Sequence, residues 1–346
     1  MIENNNKFIM PAEWEEHAAT WLAWPNDDDY FGERIKKIEN KYIEIIQYLH
    51  KDELIKLIVI DQKAEDRVSG LLQKNNIDLS RIIFFQTEYV DVWIRDYGPT
   101  FVKNNDGQKV LIKWEYDAYD YNFPELFRDN EVFLNLKEKI GLDMIEPKIS
   151  MDGGAIDVNG LGTLLTTKEC LVHNNNIDNA KKQYEEIFKN TLGISNVIWL
   201  NKGLFNDHTE GHIDEVARFV SPNKILISSE EDPSDENYGT LKENYEILEK
   251  SIDQDGNKFE IVKIPVPHMQ YENNEKQKGK KAPVAYVNFY IGNKTVLVPI
   301  FNQVTDEYAL SAIRESFPDR RVVGIDSEDL VYGGGTFHCI TQQEPK

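Results

Sequence analysis

The sequence predicts an α/β fold made of one small unit repeated along the chain: a β-hairpin, a helix and a third strand. Apolar runs split by short polar turns begin near residues 99, 155, 214 and 284, about 56, 59 and 70 residues apart, the interval of a structural repeat. Each is followed by a stretch of helical periodicity and then a short apolar run. No low-complexity tract or linker divides the 346 residues. A length prior of about 150 residues per domain suggests roughly two domains, but the unbroken repeat favours a single one over residues 1–346.

The elements follow in order. The N-terminal stretch is expected to supply a fifth unit, with a helix at Glu33–His50 and a strand at Leu54–Ile60, and Ile82–Gln86 reads as the strand before residues 93–99. Pro99–Lys103 and Val110–Trp114 flank Asn104-Asn105-Asp106-Gly107 as a hairpin. A helix near Asn130–Ile140 and a strand near Met144–Ile149 complete that unit. The next has a hairpin at Ala155–Thr167 turning at Asn159–Gly162, a helix at Ile177–Asn190 and a strand at Asn196–Leu200. The third has a hairpin at Asp214–Ser229, a helix at Asn237–Ser251 and a strand at Phe259–Val266. The fourth has a hairpin at Val284–Phe301, a helix at Asp306–Phe317 and a strand at Arg321–Ile325. Gln270–Lys281 is polar and reads as an exposed loop.

Composition excludes several classes. Lys plus Arg is 39 against 60 Asp plus Glu, a net charge of −21, which repels nucleic acid and anionic membrane surfaces and suits a cationic ligand. Two cysteines do not make a disulfide scaffold. The first ten residues lack the apolar run of a signal peptide, and the longest apolar run, Leu54–Ile60, is too short to span a membrane. The expectation is a cytoplasmic protein.

Residues with chemistry fall at the same place in each unit, after its last strand and before the next hairpin. These segments are Trp93–Pro99, Met151–Gly154, Asp207–Asp214, Tyr286–Asn288 and Gly333–Cys339. Repeats arranged around an axis bring such loops to one end, where a site can form. The assembled set holds a thiol (Cys339), an imidazole (His212) and the carboxylates Asp96, Asp152 and Asp214. Taken singly, each has an ordinary alternative: loop acids for Asp96 and Asp214, the start of a Gly-Gly turn for Asp152, and packing for His212. Cys170 reads as a buried hydrophobe without polar company. His338 faces away from its neighbour Cys339 if that segment is extended, so it reads at most as support for the site. His17, His50 and His173 read as surface or packing residues.

Together the motifs resemble the agmatine deiminases, relatives of the bacterial peptidylarginine deiminases in the guanidino-group-modifying superfamily. They are Met-Pro-Ala-Glu-Trp-x-x-His at 10–17, Thr-Trp-Leu-Ala-Trp-Pro at 20–25, Trp-x-Arg-Asp-x-Gly-Pro at 93–99, Gly-His-x-Asp at 211–214, Asn-Phe-Tyr-Ile at 288–291 and Gly-Gly-Gly-x-x-His-Cys-x-Thr-Gln-Gln at 333–343. The resemblance implies a pentein-type five-bladed α/β propeller of pseudo-fivefold ββαβ units, and neither metal nor cofactor. By matching motif it makes Cys339 the nucleophile and His212 the proton carrier. It gives the guanidinium to Asp96 and Asp214, with Trp93 and Asn288 as further substrate contacts and Asp152 orienting His212. Its substrate is the small cation agmatine; association into a homo-oligomer is left open. Three positions depart from the pattern: Asp152 stands where a Glu is expected, the stretch after Trp114 lacks a Gly pair, and Ala285 replaces a serine.

Other functions remain to be weighed. Deimination of free or peptidyl arginine uses the same chemistry. A metallohydrolase would use His208 and His212, but Gly211 disfavours the helix that would align them. A non-catalytic binding propeller has no need of the thiol. For the far ammonium of agmatine the acidic candidates are Glu13, Asp117 and Asp120, while Arg95 is expected to pair locally with acids.

Overall fold

The computed structural model describes residues 7–26, 31–172, 177–272 and 277–346. His173 and residues 273–276 of the polar loop lie outside them. Four three-stranded sheets repeat one pattern. They are β4–β5–β6 (Thr100–Lys103, Lys109–Ile112, Asp143–Ile145), β7–β8–β9 (Asp157–Val158, Thr163–Thr167, Asn196–Leu200), β10–β11–β12 (Ala217–Ser221, Lys224–Ser229, Glu260–Pro265) and β13–β14–β15 (Tyr290–Ile291, Thr295–Ile300, Arg321–Asp326). In each the first two strands are antiparallel and the third lies parallel to the second. A parallel return requires a crossover, and the expected helices supply it at Val132–Ile140, Ile177–Leu192, Tyr238–Lys250 and Asp306–Ser316.

The middle strands read as nearly continuous apolar runs because both faces are covered. Ile225, Leu226 and Ile227 of β11, and Val296, Leu297 and Val298 of β14, are fully buried. The helices lie on these sheets by one apolar stripe. In the helix Ile35–Leu49, Ile38, Tyr42, Ile45, Ile46 and Leu49 are buried, which is one face at helical spacing.

The fifth sheet differs from the sequence expectation. Its order is β16–β1–β2–β3, with β1 at His17–Ala23, β2 at Leu54–Val59, β3 at Ile82–Gln86 and β16 at Gln342–Pro345. The two ends of the chain pair here, β1 antiparallel to β16. An additional helix, Gln62–Lys74, links β2 to β3 and is capped by Asp61, whose side chain accepts from the Ala64 N–H. This helix buries only Val68 and Leu72, so its periodicity was faint. β16 is polar and offers no strand pattern of its own. Two hairpins are also shorter than expected, since β7 and β13 keep only two residues each. Among the described residues, no helix is long and apolar enough to cross a membrane.

The segments flagged from sequence run directly into the first strand of the next sheet. Residues 93–99 enter β4, 152–156 enter β7, 211–216 enter β10, 285–289 enter β13, and 333–341 enter β16.

Candidate active site

The five segments meet. Residues 93–99 form a helical turn, Ile94–Tyr97, whose Arg95 N–H donates to the Cys339 carbonyl at 3.1 Å. The buried Arg95 guanidinium extends this join. Nε donates to the His338 carbonyl at 3.2 Å and a terminal nitrogen donates to Gln343 Oε1 at 2.7 Å. The turn presents Asp96, which accepts from the Gly154 N–H at 3.0 Å and from the Tyr119 hydroxyl at 2.9 Å.

Gly154 is the point of closest approach. A Cβ there would lie 2.5 Å from His212 Nδ1, 2.9 Å from Asp96 Oδ1 and 3.2 Å from Asp214 Oδ2. Only glycine lets the three functional groups converge on its backbone. His212 is fully buried, with Nε2 3.2 Å from Asp152 Oδ2 and Nδ1 3.6 Å from Asp96 Oδ1. The shorter acid at 152 therefore reaches the imidazole.

Cys339 is 5% exposed. The Asn288 amide donates to its sulfur at 3.3 Å, and Asp214 Oδ2 lies 3.8 Å from it. Asn288 is fixed in turn by Thr336 Oγ1 and the His338 N–H, which donate to its oxygen at 2.5 and 3.2 Å. Gly333 and Gly335 pack against the Trp93 indole, where a Cβ would fall within 2.9 and 2.8 Å of the ring. All seven residues named from sequence, Cys339, His212, Asp96, Asp214, Asp152, Trp93 and Asn288, thus come together. His338 turns away from the thiol, and its ring nitrogens bridge Asp214 Oδ2 at 2.6 Å and Glu13 Oε2 at 2.8 Å.

The electrostatics are those of acids without resident cations. Among the described residues no Lys or Arg forms an ion pair with Asp96, Asp152, Asp214 or Glu215; the ion-pair partners of the three aspartates are histidines. Oδ1 of Asp152, Oδ1 of Asp214, Oε2 of Glu215 and Nδ1 of His212 are buried without a hydrogen-bond partner. Burial, reinforced by Asp152 and Asp214, pushes Asp96 up to about 7 against the pull of His212. Burial also raises Asp152. For Asp214 burial acts upward too, but the His338 hydrogen bond and charge outweigh it and leave the group lowered. Burial opposes charge on His212, yet Asp96, Cys170 and Asp152 hold it well above its ordinary value. The Cys339 thiol is driven well up by burial and then by Asp214, Glu215 and Asp96.

Two expectations need correction. Glu13 does not face the substrate tail. It is buried and takes hydrogen bonds from Arg218 at 2.8 Å and the Ile291 N–H at 2.8 Å, besides His338. Cys170 is buried as expected but does have polar company. It lies in the helical turn Lys168–Leu171, lines a small cavity with Asp152 and Thr209, and burial raises its thiol against the pull of His212. His208 and His212 form no shared metal-ligating group among the described residues; such groups are Asp214–Glu215–Cys339 and Glu230–Asp235–His268. In the second, the Lys281 ammonium already sits on Asp235. His208 instead packs edge-on against Tyr119 and Phe123, with ring centroids 5.3 and 5.9 Å away.

Other assignments hold. Arg95 is paired locally, and His17 and His50 are packing residues bonded to Glu53 and to the Ile46 carbonyl. Asp117 and Asp120 line one small cavity with Asp152, Tyr119 and Cys170. Sequence reasoning missed Glu215 and the hydrogen bond from Tyr119 to Asp96. Glu215 follows Asp214 directly, and that doubled acid was the available signal.

With this geometry in place, comparison with known proteins is decisive. The model of the Porphyromonas-type peptidyl-arginine deiminases matches residues 9–345. The chain belongs to that family. A Legionella pneumophila (strain Paris) protein with a provisional agmatine deiminase name is 34% identical over 342 residues, covering 98% of this chain and 96% of its own. The agmatine deiminase of Enterococcus faecalis, solved catalysing its reaction, superposes with a TM-score of 0.88 at 28% identity, covering 98% of this chain and 96% of that one. A variant agmatine deiminase of C. jejuni with substrate bound gives a TM-score of 0.86 at 27% identity, covering 100% and 98%. The resemblance read from the motifs and the α/β fold are thereby borne out.

Proposed function

We propose that this chain is an agmatine deiminase, hydrolysing agmatine to N-carbamoylputrescine and ammonia. The observation that carries the reading is the set of buried acid oxygens without partners around the Cys339 thiol. A buried carboxylate without a cation is costly, and a guanidinium offers N–H groups on every edge to satisfy several at once. The family and the agmatine deiminases it superposes on support the same choice.

In this reading Asp96 and Asp214 hold the guanidinium edges and set its carbon against the Cys339 sulfur. The arriving cation offsets the carboxylate field that keeps the thiol protonated, so the thiol proton leaves to solvent. The thiolate attacks the central carbon. His212, held charged by Asp96 and Asp152, gives a proton to one amine, and ammonia departs from an S-alkylthiouronium adduct. The neutral imidazole then takes a proton from water, whose oxygen adds to the same carbon. Loss of the hydroxyl proton and expulsion of the thiolate give the ureido product. Asn288 orients the sulfur, and Trp93 walls the pocket. Asp117 and Asp120 are the acids left for the far ammonium. The same reading takes residues 1–346 as one cytoplasmic catalytic domain whose five sheets form a five-bladed propeller, needing no cofactor.

Arg218 is occupied by internal partners, and Arg95 commits Nε and one terminal nitrogen to internal acceptors while the other is buried 3.6 Å from Glu13, so neither presents an open fork to a substrate carboxylate. Ammonia release from agmatine, free arginine, an arginine peptide and arcaine tests the assignment. Agmatine is expected to exceed arginine by about a hundredfold or more in kcat/KM, the cost of an unpaired carboxylate in the pocket. Equal or faster turnover of arginine or the peptide would move the enzyme to the arginine deiminases.

A further inference from the structure

Glu215 has no part in the scheme above, yet it sits within it. It is 5% exposed, and its Oε2 is buried without a hydrogen-bond partner. One of its carboxylate oxygens, an Asp214 oxygen and the Cys339 sulfur all lie within 4.8 Å of one another. The cause is local. Ile213–Glu215 is a single 3-10 turn, so consecutive acids do not alternate across it as they would on a strand. Ser228 Oγ and the His212 carbonyl occupy only the Glu215 backbone.

We propose that Glu215 is a third carboxylate of the guanidinium site, accepting from a substrate nitrogen that Asp96 and Asp214 leave free. This rests on the deiminase reading. Distance places the contact at the guanidinium rather than the far amine. The ammonium of extended agmatine lies about 7 Å from the guanidinium carbon along bonds of ordinary length, whereas Glu215 stays beside the sulfur that attacks that carbon. The chain contains a precedent for this mode of holding. The Arg218 guanidinium is held by Asp157 at 3.2 Å, Glu13 at 2.8 Å and the Phe289 carbonyl at 2.9 Å. A third acid also favours turnover at its end, because the ureido product is neutral and keeps no charge attraction to three carboxylates.

The groups that act on Glu215 are Asp214, Asp207, His212, Asp96 and Cys339. Burial and the charges of Asp214 and Asp207 hold it protonated well above its ordinary range. A bound cation reverses that balance and expels the proton, giving a signature that a merely structural residue lacks.

Two measurements test the proposal. Glu215→Gln, which keeps shape and removes charge, is expected to raise KM for agmatine tenfold or more and to lower kcat less, the scale of a lost charged hydrogen bond. In Cys339→Ser protein at pH 7, calorimetric titration with agmatine in two buffers of different ionisation enthalpy counts protons released on binding. Adding Glu215→Gln to that protein is expected to lower that count. A KM within threefold of wild type, or an unchanged proton count, overturns the proposal. Should Glu215→Gln fail to fold, Glu215→Asp withdraws the carboxylate by one methylene, and an unchanged KM there overturns it equally. The deiminase reading fails separately, when wild-type protein releases no ammonia from agmatine. The same comparison is then read with whichever of arginine or methylguanidine the wild type binds, and a chain binding neither overturns both.

Discussion

Two buried charge clusters adjoin in this protein, linked by the His338 ring between Asp214 and Glu13. Around Arg218, acids and cations are matched: Glu13 and Asp157 hold its guanidinium, and the Arg95 guanidinium lies 3.6 Å from Glu13. Around Cys339, the aspartates Asp96, Asp152 and Asp214 have histidines as their ion-pair partners, and Glu215 Oε2 is buried without a hydrogen-bond partner. In the proposed reading the same residue types at the same depth make a structural joint in one place and a receptor in the other. What separates them is whether the sequence provides the guanidinium or leaves it to the substrate.

The largest effect that tests this contrast is on turnover. Cys339→Ser is expected to reduce kcat by at least about a thousandfold with the fold intact, because an alcohol ionises far less readily than a thiol. Circular dichroism and ammonia release measured on one sample check both halves. Retention of more than a trace of activity would remove the covalent scheme and leave only the acid cluster.

Stability should separate the clusters in opposite directions. Arg218→Met strands Glu13 and Asp157 without their cation, and a loss of about 3–5 kcal/mol is expected. Asp96→Asn should abolish activity yet raise the melting midpoint at pH 8. The sign follows from its pKa of about 7, above the ordinary value of about 3.9. Between those values the folded state holds a proton that the unfolded chain has released, so stability falls as pH rises through that window. An amide at 96 removes that loss. Denaturant melts at pH 5 and pH 8 decide it, and a destabilised Asp96→Asn at pH 8 would class Asp96 with the structural joint.

Much of the site was legible, and the failures have specific causes. Asp96, Asp214, His212 and Cys339 sit in compact motifs beside glycine, where the backbone must approach other groups. Glu13 was misassigned because sequence does not say which buried cation an acid will meet, and Arg218 lies 205 residues away. Glu215 was passed over because the Gly-His-x-Asp motif ends at Asp214, and only the 3-10 turn Ile213–Glu215 brings the next acid toward the thiol. The repeat was readable from four hairpins, while the fifth sheet depends on pairing the chain ends. That contact has no local signal in a strand as polar as Gln342–Pro345.

The pH profile should sharpen the receptor side. On the acid limb kcat/KM is expected to rise through about pH 7 as the acid set, Asp96 foremost, ionises and can bind the cation. It should fall again at alkaline pH as His212 loses the proton that its acids hold well above the usual range. Tyr119→Phe removes a hydrogen bond that lowers Asp96. The acid limb should therefore move to higher pH while the alkaline limb stays in place. Movement of the alkaline limb alone would assign the hydroxyl to His212 instead.

The smallest expected effect concerns backbone rather than charge, and again falls on the receptor side. Ala118, Tyr119, Asp120 and Tyr121 have consecutive φ values of +57°, +59°, +52° and +64°. An L-residue in that region costs roughly 1–2 kcal/mol, and a run of four is held by its own hydrogen bonds. Tyr121 N–H donates to the Asp117 carbonyl and Asp120 N–H to the Asp117 carboxylate, both at 2.9 Å. The run brings the Tyr119 hydroxyl onto Asp96, in the stretch where the related enzymes were expected to carry a glycine pair. Replacing Asp120 and Tyr121 together by glycine should relieve about 2–4 kcal/mol of strain. Against this stand roughly 1–2 kcal/mol of added chain entropy and the partly exposed Tyr121–Phe127 contact, worth about 0.5–1.5 kcal/mol. The central values leave a stabilisation of only about 0.5 kcal/mol, read as a slightly higher denaturation midpoint. A freer Tyr119 should at the same time raise KM for agmatine severalfold. A lower midpoint with unchanged KM would mean that the surrounding contacts already determine this turn, and that the receptor side stores its cost in its acids alone.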